Sequence, residues 1–348
     1  MQASNAPSKI QTPFANAGDK QVIPVASQIG VTDGRASYTD GFPPLTRTPI
    51  VAGGVPPFGT DMNGILNAVT AIQQWQSAGG RFVYDAAFAA AIGGYPKGAT
   101  LQKADGSGTW LCTADNNTAN PDTGGANWQD FSAGRLIGVQ VFTANGVYTP
   151  TAGTKSVIVE GVGGGGSGGA VGATSAAQYA AAAGGGAGAY GKARFTSGFS
   201  GVTVTIGAGG AAPAAGVNAG NVGGTSSFGA LMSLPGGTGG QACAGAAQTG
   251  AVAANGGSSS VPSGVNLGGF AGEGGGNGVV IGTSGVAFQA GKGGSSPFGG
   301  GGYVGTGAGA RQGTGYGSGS SGSCAGVSLA AQAGLAGQPG ILIVYEYA

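Results

Sequence analysis

Glycine limits what this chain can fold into more than any other residue: 63 of its 81 glycines lie in residues 136–348. In an ordinary helix or strand glycine costs about 0.5–1 kcal/mol relative to alanine. A segment this rich must therefore use something only glycine supplies. One use is positive φ in tight loops. A second is close backbone approach, so that loops stack and bond laterally. A third is an array of extended three-residue turns of the polyproline-II type, packed with no side chain in the way. The runs 163–169, 184–186, 274–276 and 299–302 suit the last two. A flexible linker is the competing reading. Interspersed Val, Ile, Leu, Phe and Tyr, framed by two strong strand signals, favour order.

Charge divides the chain the other way. Nineteen of the 25 charged residues lie in 1–160; after Gly161 only Lys192, Arg194, Glu273, Lys292, Arg311 and Glu346 remain. Two different materials join near residues 132–140. A formal net charge of +1 with no basic run argues against nucleic-acid binding. No apolar stretch reaches the roughly 18 residues of a membrane span. The first residues, Met1 to Asn5, lack the basic head and apolar run of a secretory leader, so synthesis in a cytoplasm is expected.

Little in the chain suggests chemistry. Cys112, Cys243 and Cys324 are odd in number and far apart, and there is no histidine, so neither a disulfide framework, a metal site nor a cofactor is expected. Without histidine, Ser–His–Asp and Cys–His arrangements are excluded. Beyond Glu160 the only side-chain carboxylates are Glu273 and Glu346, a poor start for a glycosidase pair. The stretch Gly186 to Ala193 nearly matches a phosphate-binding loop, but Ala193 replaces the required hydroxyl. The expectation is that the chain is not an enzyme.

The expected fold is mainly β. Residues 1–60, rich in proline, read as an extended region that wraps neighbouring chains or a docking partner, or trails as a mobile tail. Residues 61–80 read as a helix capped by Thr60–Asp61, with an apolar stripe at Met62, Ile65, Val69, Ile72 and Gln76. It packs either on its own domain or in a short bundle on a symmetry axis. Residues 81–135 form a small β module, with a second short helix at 86–92 and a hairpin turning at Asp105–Gly106. Residues 136–348 form a glycine-rich, β-sandwich-like domain that leaves room for polyglycine-II-type elements. Its expected strands are a hairpin over 139–149 turning at Asn145–Gly146, then 155–162, 202–206 and a last strand, 340–347, paired with 155–162. The echo of residues 223–229 in 293–299 suggests a repeated turn that plugs Phe228 and Phe298 into a core. Phe270, Phe288, Tyr303 and Tyr316 stand on small, polar loops, as aromatic rings do on recognition surfaces, where they stack on sugars or apolar patches. The alternative for all four is a thin core.

These residues resemble tail fibre proteins of phages and prophages of Gram-negative bacteria. The likeness over about residues 10–131 rests on Pro13-Phe14-Ala15-Asn16-Ala17-Gly18-Asp19-Lys20, Gly41-Phe42-Pro43-Pro44, Gly53-Gly54-Val55-Pro56-Pro57, Asp61-Met62-Asn63-Gly64-Ile65 and Tyr84-Asp85-Ala86-Ala87-Phe88. The second half looks like the glycine-rich domain of the same fibres, at 157–160, 223–229 and 337–344. The resemblance implies a homotrimer, attachment to a phage tail or baseplate protein through the N-terminal region, and recognition of a host-surface glycan, pilus or outer-membrane protein by 136–348. It carries no catalytic residues. The long shaft of many relatives is nearly absent here, so a short fibre in the virion tail is expected. The other readings are a structural tail or baseplate spacer, and a fibre that degrades polysaccharide. Residues 95–131 also look like small carbohydrate-binding modules, through Tyr95, Trp110, Pro121 and Trp128.

Overall fold

The computed structural model describes residues 6–247, 252–281 and 287–348. The leader reading of Met1 to Asn5 falls outside them. The fold is mainly β, with two α-helices among the described residues. The chain divides into two compact units, Met1–Ser132 and Ala133–Ala348.

In the first unit, α1 spans Gly59–Ser77 and α2 spans Ala86–Ile92. Helix α1 starts two residues before the expected point, after Phe58, with no side-chain cap. Asp61 does not cap it: its buried carboxylate accepts the N–H of Ala36 at 2.7 Å. The proline-rich region follows its own helix. Asn63, Asn67, Thr70 and Gln74 form one polar stripe at helical spacing and bond the backbone of Asp19, Phe14, Phe14 and Gln11. The neighbouring apolar stripe is left open, from Leu66 at 36% to Trp75 at 51% exposed, with Met62, Val69 and Ile72 between them. An amphipathic helix usually buries its apolar side; here the polar side carries the intrachain contacts.

The short helix over 86–92 and the hairpin turning at Asp105–Gly106 are both present. Asp85 caps α2 by accepting the N–H of Phe88. Strands β1 (Thr100–Gln102), β2 (Thr109–Cys112) and β3 (Trp128–Asp130) make one antiparallel sheet. Its core gathers Ala89, Tyr95, Leu101 and Cys112, with Trp110 and Trp128 packed against them.

The second unit opens with β4 (Leu136–Phe142), β5 (Gly146–Val147), β6 (Ser156–Val162), β7 (Gln178–Ala181), β8 (Tyr190–Phe195), β9 (Thr203–Thr205), β10 (Ser226–Phe228) and β11 (Met232–Leu234). It continues through β12 (Ala246–Ala247), β13 (Val252–Ala254), β14 (Gly268–Phe270), β15 (Gly278–Ile281), β16 (Ala287–Gln289), β17 (Cys324–Ala325) and β18 (Ile341–Tyr347). A five-stranded antiparallel sheet runs β14-β8-β6-β18-β4, and a four-stranded one runs β11-β10-β9-β5. The last strand lies between β6 and β4, paired with β6 from Ile341 opposite Val162 to Tyr347 opposite Ser156. The expected hairpin over 139–149 does not form. Strand β4 bonds to β18 and β5 to β9, and the Asn145 side chain accepts the N–H of Ile206, tying the Asn–Gly corner to the second sheet.

The two sheets face each other over Val157, Val159, Ala193, Leu342 and Val344 from one, and Tyr148, Val204, Phe228, Met232 and Leu234 from the other. Phe228 is fully buried there. Phe298 is not its equivalent: it sits half-buried in a turn bridged by Ser296 and Gly299. Pro297 explains the difference. Ser227, at the matching place, pairs with both Thr205 and Ser233, and proline has no N–H to give a ladder. Phe228→Ala should cost the second unit about 3–5 kcal/mol, and Phe298→Ala about 1 kcal/mol. Paired denaturant melts check this; equal losses would contradict the difference in burial.

Beyond the sandwich the backbone follows a different rule. Along residues 163–171 the N–H groups rotate through three neighbours with a period of three. Gly163, Gly166 and Gly169 donate to Ala189, Gly186 and Ala183; Gly164, Ser167 and Ala170 to Gly224, Asn221 and Asn218; Gly165, Gly168 and Val171 to Gln338, Leu335 and Gln332. The carbonyls of this segment accept from Gly210, from Gly237, Gly240 and Cys243, and from Ser320 and Ser323. One segment is thus laterally bonded to six others. Residues 182–189 repeat the pattern, donating in rotation to 317–323, 235–241 and 273–276. The glycines between them are needed for proximity. A Cβ at Gly165 would be driven into the carbonyl oxygen of Ser318, and one at Gly319 into that of Gly185.

Candidate functional site

The period-three segments give the second unit two ends. Gly163 follows β6 directly and Ala189 precedes β8, so this pair of segments leaves and rejoins the sandwich. A chain with three residues per extended turn rises about 3.1 Å per residue, so Val171 lies roughly 25 Å farther out. There the segments finish in two small sheets, β12-β7-β17 and β13-β15-β16.

The four aromatic residues expected to form a recognition surface separate between these ends. Among the described residues, none of the four rings contacts another of the four. Phe270 lies on the edge strand β14 beside the sandwich, 52% exposed, its ring stacked on Tyr190 at 5.0 Å. Tyr316 is half-buried at the same end, next to Gly317, which bonds Pro339 and Gly188. Phe288 lies on β16 at the far end but is partly buried, packed on Tyr179 at 5.0 Å and on the cluster of Ala181, Val280, Ala290 and Cys324. Tyr303 is the open one, 66% exposed. It follows Gly302, which bonds Gly319 and Gly293, and precedes the turn through Gly305 and Gly309, which bond Ala290, just past β16, and Cys324 of β17.

Tyr303 has a partner that sequence reasoning missed. Arg311 donates from Nε to the Tyr303 hydroxyl at 2.9 Å and holds its guanidinium 5.7 Å from the ring centroid. Its Nη1 donates to the carbonyl of Ala310, and its backbone is fixed on Ser321 in both directions. The sequence signal was its isolation: no other arginine follows Arg194.

The three side-chain carboxylates of the second unit are each satisfied within it, whereas Arg135, Lys155 and Arg194, like Arg311, make no ion pair among the described residues. Glu160 accepts from Lys192 at 2.9 Å and from the hydroxyl of Tyr190 at 2.8 Å. Burial first, then this carboxylate, pushes the Tyr190 phenol up to about 12. Glu273 accepts from Lys292 at 2.6 Å and from the N–H of Ser295. Burial works to raise its pKa, but those donors hold it below the usual glutamate value. Glu346 is fully buried inside the sandwich end. Arg311 has no carboxylate within ion-pair distance.

In the first unit, the residues that look like a carbohydrate-binding module are mostly structural. Tyr95 is buried against Trp128, whose Nε1 donates to the carbonyl of Ala119. Trp110 donates to Asp122, and Lys103 lies over its ring at 4.6 Å while pairing with Asp130. The near phosphate-loop stretch is a period-three segment running into strand β8, without the helix that a phosphate loop needs. An apolar cleft of about 510 Å³ is lined by Ile72, Phe82, Val83, Phe88, Tyr95 and Leu101. No group of residues suited to a metal ion occurs among the described residues.

No protein-family model matches the chain, and no curated protein is significantly similar to it.

Proposed function

We propose that this chain is the receptor-binding tail fibre of a bacteriophage, an adhesin that recognises the bacterial surface and anchors the virion. The observation that carries the proposal is the period-three array: a laterally bonded body of small, nearly uncharged residues, with an exposed ring, Tyr303, on its flank. We read the array as a polyglycine-II-type bundle. A binding head gains from such a scaffold, because a pre-ordered surface loses little entropy when it meets its target. The motifs of residues 10–131 support the tail as the point of attachment.

The open stripe of α1 supports a homotrimer. Three copies of a helix with Met62, Leu66, Val69 and Ile72 exposed bury those side chains against one another on a threefold axis. Val69→Asp should then convert the trimer to monomer with the small β module intact, as read by light scattering and by circular dichroism. A variant that keeps the wild-type mass would remove the bundle. In a trimer, weak sites add up: linking several raises avidity by roughly 10²–10⁴.

The direct test is competition. Purified chain in excess should block adsorption of the phage that carries it, and fluorescent chain should stay on host cells through washing. Undiminished adsorption, with no retention on cells, would favour a spacer role. Release of reducing sugar from host polysaccharide would favour a degrading fibre.

A further inference from the structure

We infer that Tyr303 and Arg311 form a subsite for an anionic sugar, one bearing a phosphate or a carboxylate; this rests on the adhesin reading and specifies its ligand. Three observations carry it. The first is exposure: Tyr303 presents two thirds of its surface to solvent on the flank of the array, next to Gly302, which bonds Gly319 and Gly293. An open phenol ring is a surface on which the C–H face of a pyranose stacks.

The second is fixation. Arg311 is held by its Nε on the Tyr303 hydroxyl and by Nη1 on Ala310, so the fork is oriented before any ligand arrives. Its Nη2 donates to no protein group among the described residues. A planar guanidinium with free N–H groups is matched to the paired oxygens of a carboxylate or a phosphate.

The third is imbalance. Of the four cations after Gly161, Lys192 and Lys292 each pair with a glutamate; Arg194 and Arg311 have no carboxylate within ion-pair distance among the described residues, but Arg194 spends its Nη2 on the Ser156 hydroxyl at 3.3 Å while that of Arg311 is free. The residues outside the described ranges contain no Asp or Glu that could supply one. The chain thus leaves this fork free for an outside anion, and a ligand that stacks on Tyr303 brings its anion to it. A nearly uncharged surface binds with little dependence on salt; this subsite introduces one salt-dependent contact into it.

Ligand-observed NMR on the full-length chain tests the subsite, with hexose 6-phosphate, hexuronate and the neutral hexose as probes. At least one anionic probe should bind about tenfold more tightly than the neutral hexose, and its identity separates phosphate from carboxylate. The advantage should vanish in Arg311→Gln, fall in Arg311→Lys, which keeps the charge but loses the fork, and fall less in Tyr303→Phe, which keeps the ring and the guanidinium but loses the hydroxyl that orients it. Unchanged melting temperatures show that the variants are folded. Equal binding of all three probes, or an anionic preference that persists in Arg311→Gln, would overturn the subsite. Retention of the same proteins on host cells is read alongside. Wild type and Arg311→Gln held equally on cells would reject the subsite and leave the adhesin standing; no retention of wild type, with the anionic preference intact, would reject the adhesin alone.

Discussion

Gly165→Ala is expected to destabilise the second unit by about 3 kcal/mol or more, an unusually large effect for one methyl group. The new Cβ would collide with the backbone carbonyl of Ser318. A flexible side chain would swing away; a carbonyl cannot. Gly165 also donates to Gln338 and accepts from Gly210, both at 2.8 Å, so shifting either strand to make room strains bonds to other segments. Each such bond is worth about 1 kcal/mol net. Gly268→Ala provides the control. A Cβ there meets nothing within 4 Å, so that substitution should stay within about 0.5 kcal/mol of wild type. Denaturant melts of both variants decide the matter. Equal, small effects would mean that the array tolerates separation of its segments, and glycine would then need another explanation.

The second large effect lies in the sandwich. Glu346 is fully buried in β18, and no cation neutralises it. Its carboxylate accepts instead from Gln140 at 2.9 Å, the Tyr148 hydroxyl at 2.6 Å, and the N–H and hydroxyl of Thr151 at 3.0 and 2.7 Å. Burial works to raise its pKa; the bonds from Tyr148, Thr151 and Gln140 outweigh it, and the net displacement is downward. The same contact and burial raise the Tyr148 phenol well above its ordinary value. Glu346→Leu strands several donors at once and should cost about 3 kcal/mol or more. The sign of the pH dependence follows from the depressed pKa. The folded state holds its proton less tightly than the unfolded chain, so this contribution is complete above the usual glutamate value of 4.5 and is lost as pH falls through the lower folded value. Wild type should therefore lose stability below about pH 4.5, and Glu346→Gln, which has no proton to bind there, should show a shallower acid loss. Parallel acid profiles for the two proteins would assign the effect elsewhere.

Parts of this architecture could be read from sequence because side chains announce their neighbours. The apolar runs in 156–162 and 341–347 mark two strands, and their pairing is found as expected. Asp105–Gly106 closes a hairpin as expected. Asn145–Gly146 does not, because the Asn145 side chain finds the N–H of Ile206, a partner 61 residues away. Segments of the array give no such announcement. Residues 163–169, 184–188 and 236–240 are nearly interchangeable in composition, so their partners are set by the whole assembly and not by local preference. The echo ending in Phe298 does not mark a second buried ring, because Pro297 lacks the N–H that the ladder position of Ser227 requires. Among the candidate site residues, Tyr303 was legible as an exposed ring on a small-residue loop. Arg311 was not, since its interest lies in the absence of a nearby carboxylate, which only the folded chain reveals. The polar zipper of α1 was hidden for the opposite reason: its stripe at Asn63, Asn67, Thr70 and Gln74 reads as a solvated face until the N-terminal backbone is laid along it.

The period of three also limits how such a molecule can diversify. Deleting one residue within 163–171 would turn every later donor by about 120° and aim it at the wrong segment. Deleting three would restore the aim but shorten one segment by a full turn, about 9 Å, against partners of unchanged length. Interior length changes are thus barred unless they occur in many segments together. The turns at the far end are subject to neither condition. Sequence change should therefore accumulate as substitutions and loop-length variants in those turns, on a body whose residue count per segment stays constant; under the adhesin proposal, that is where host range would change.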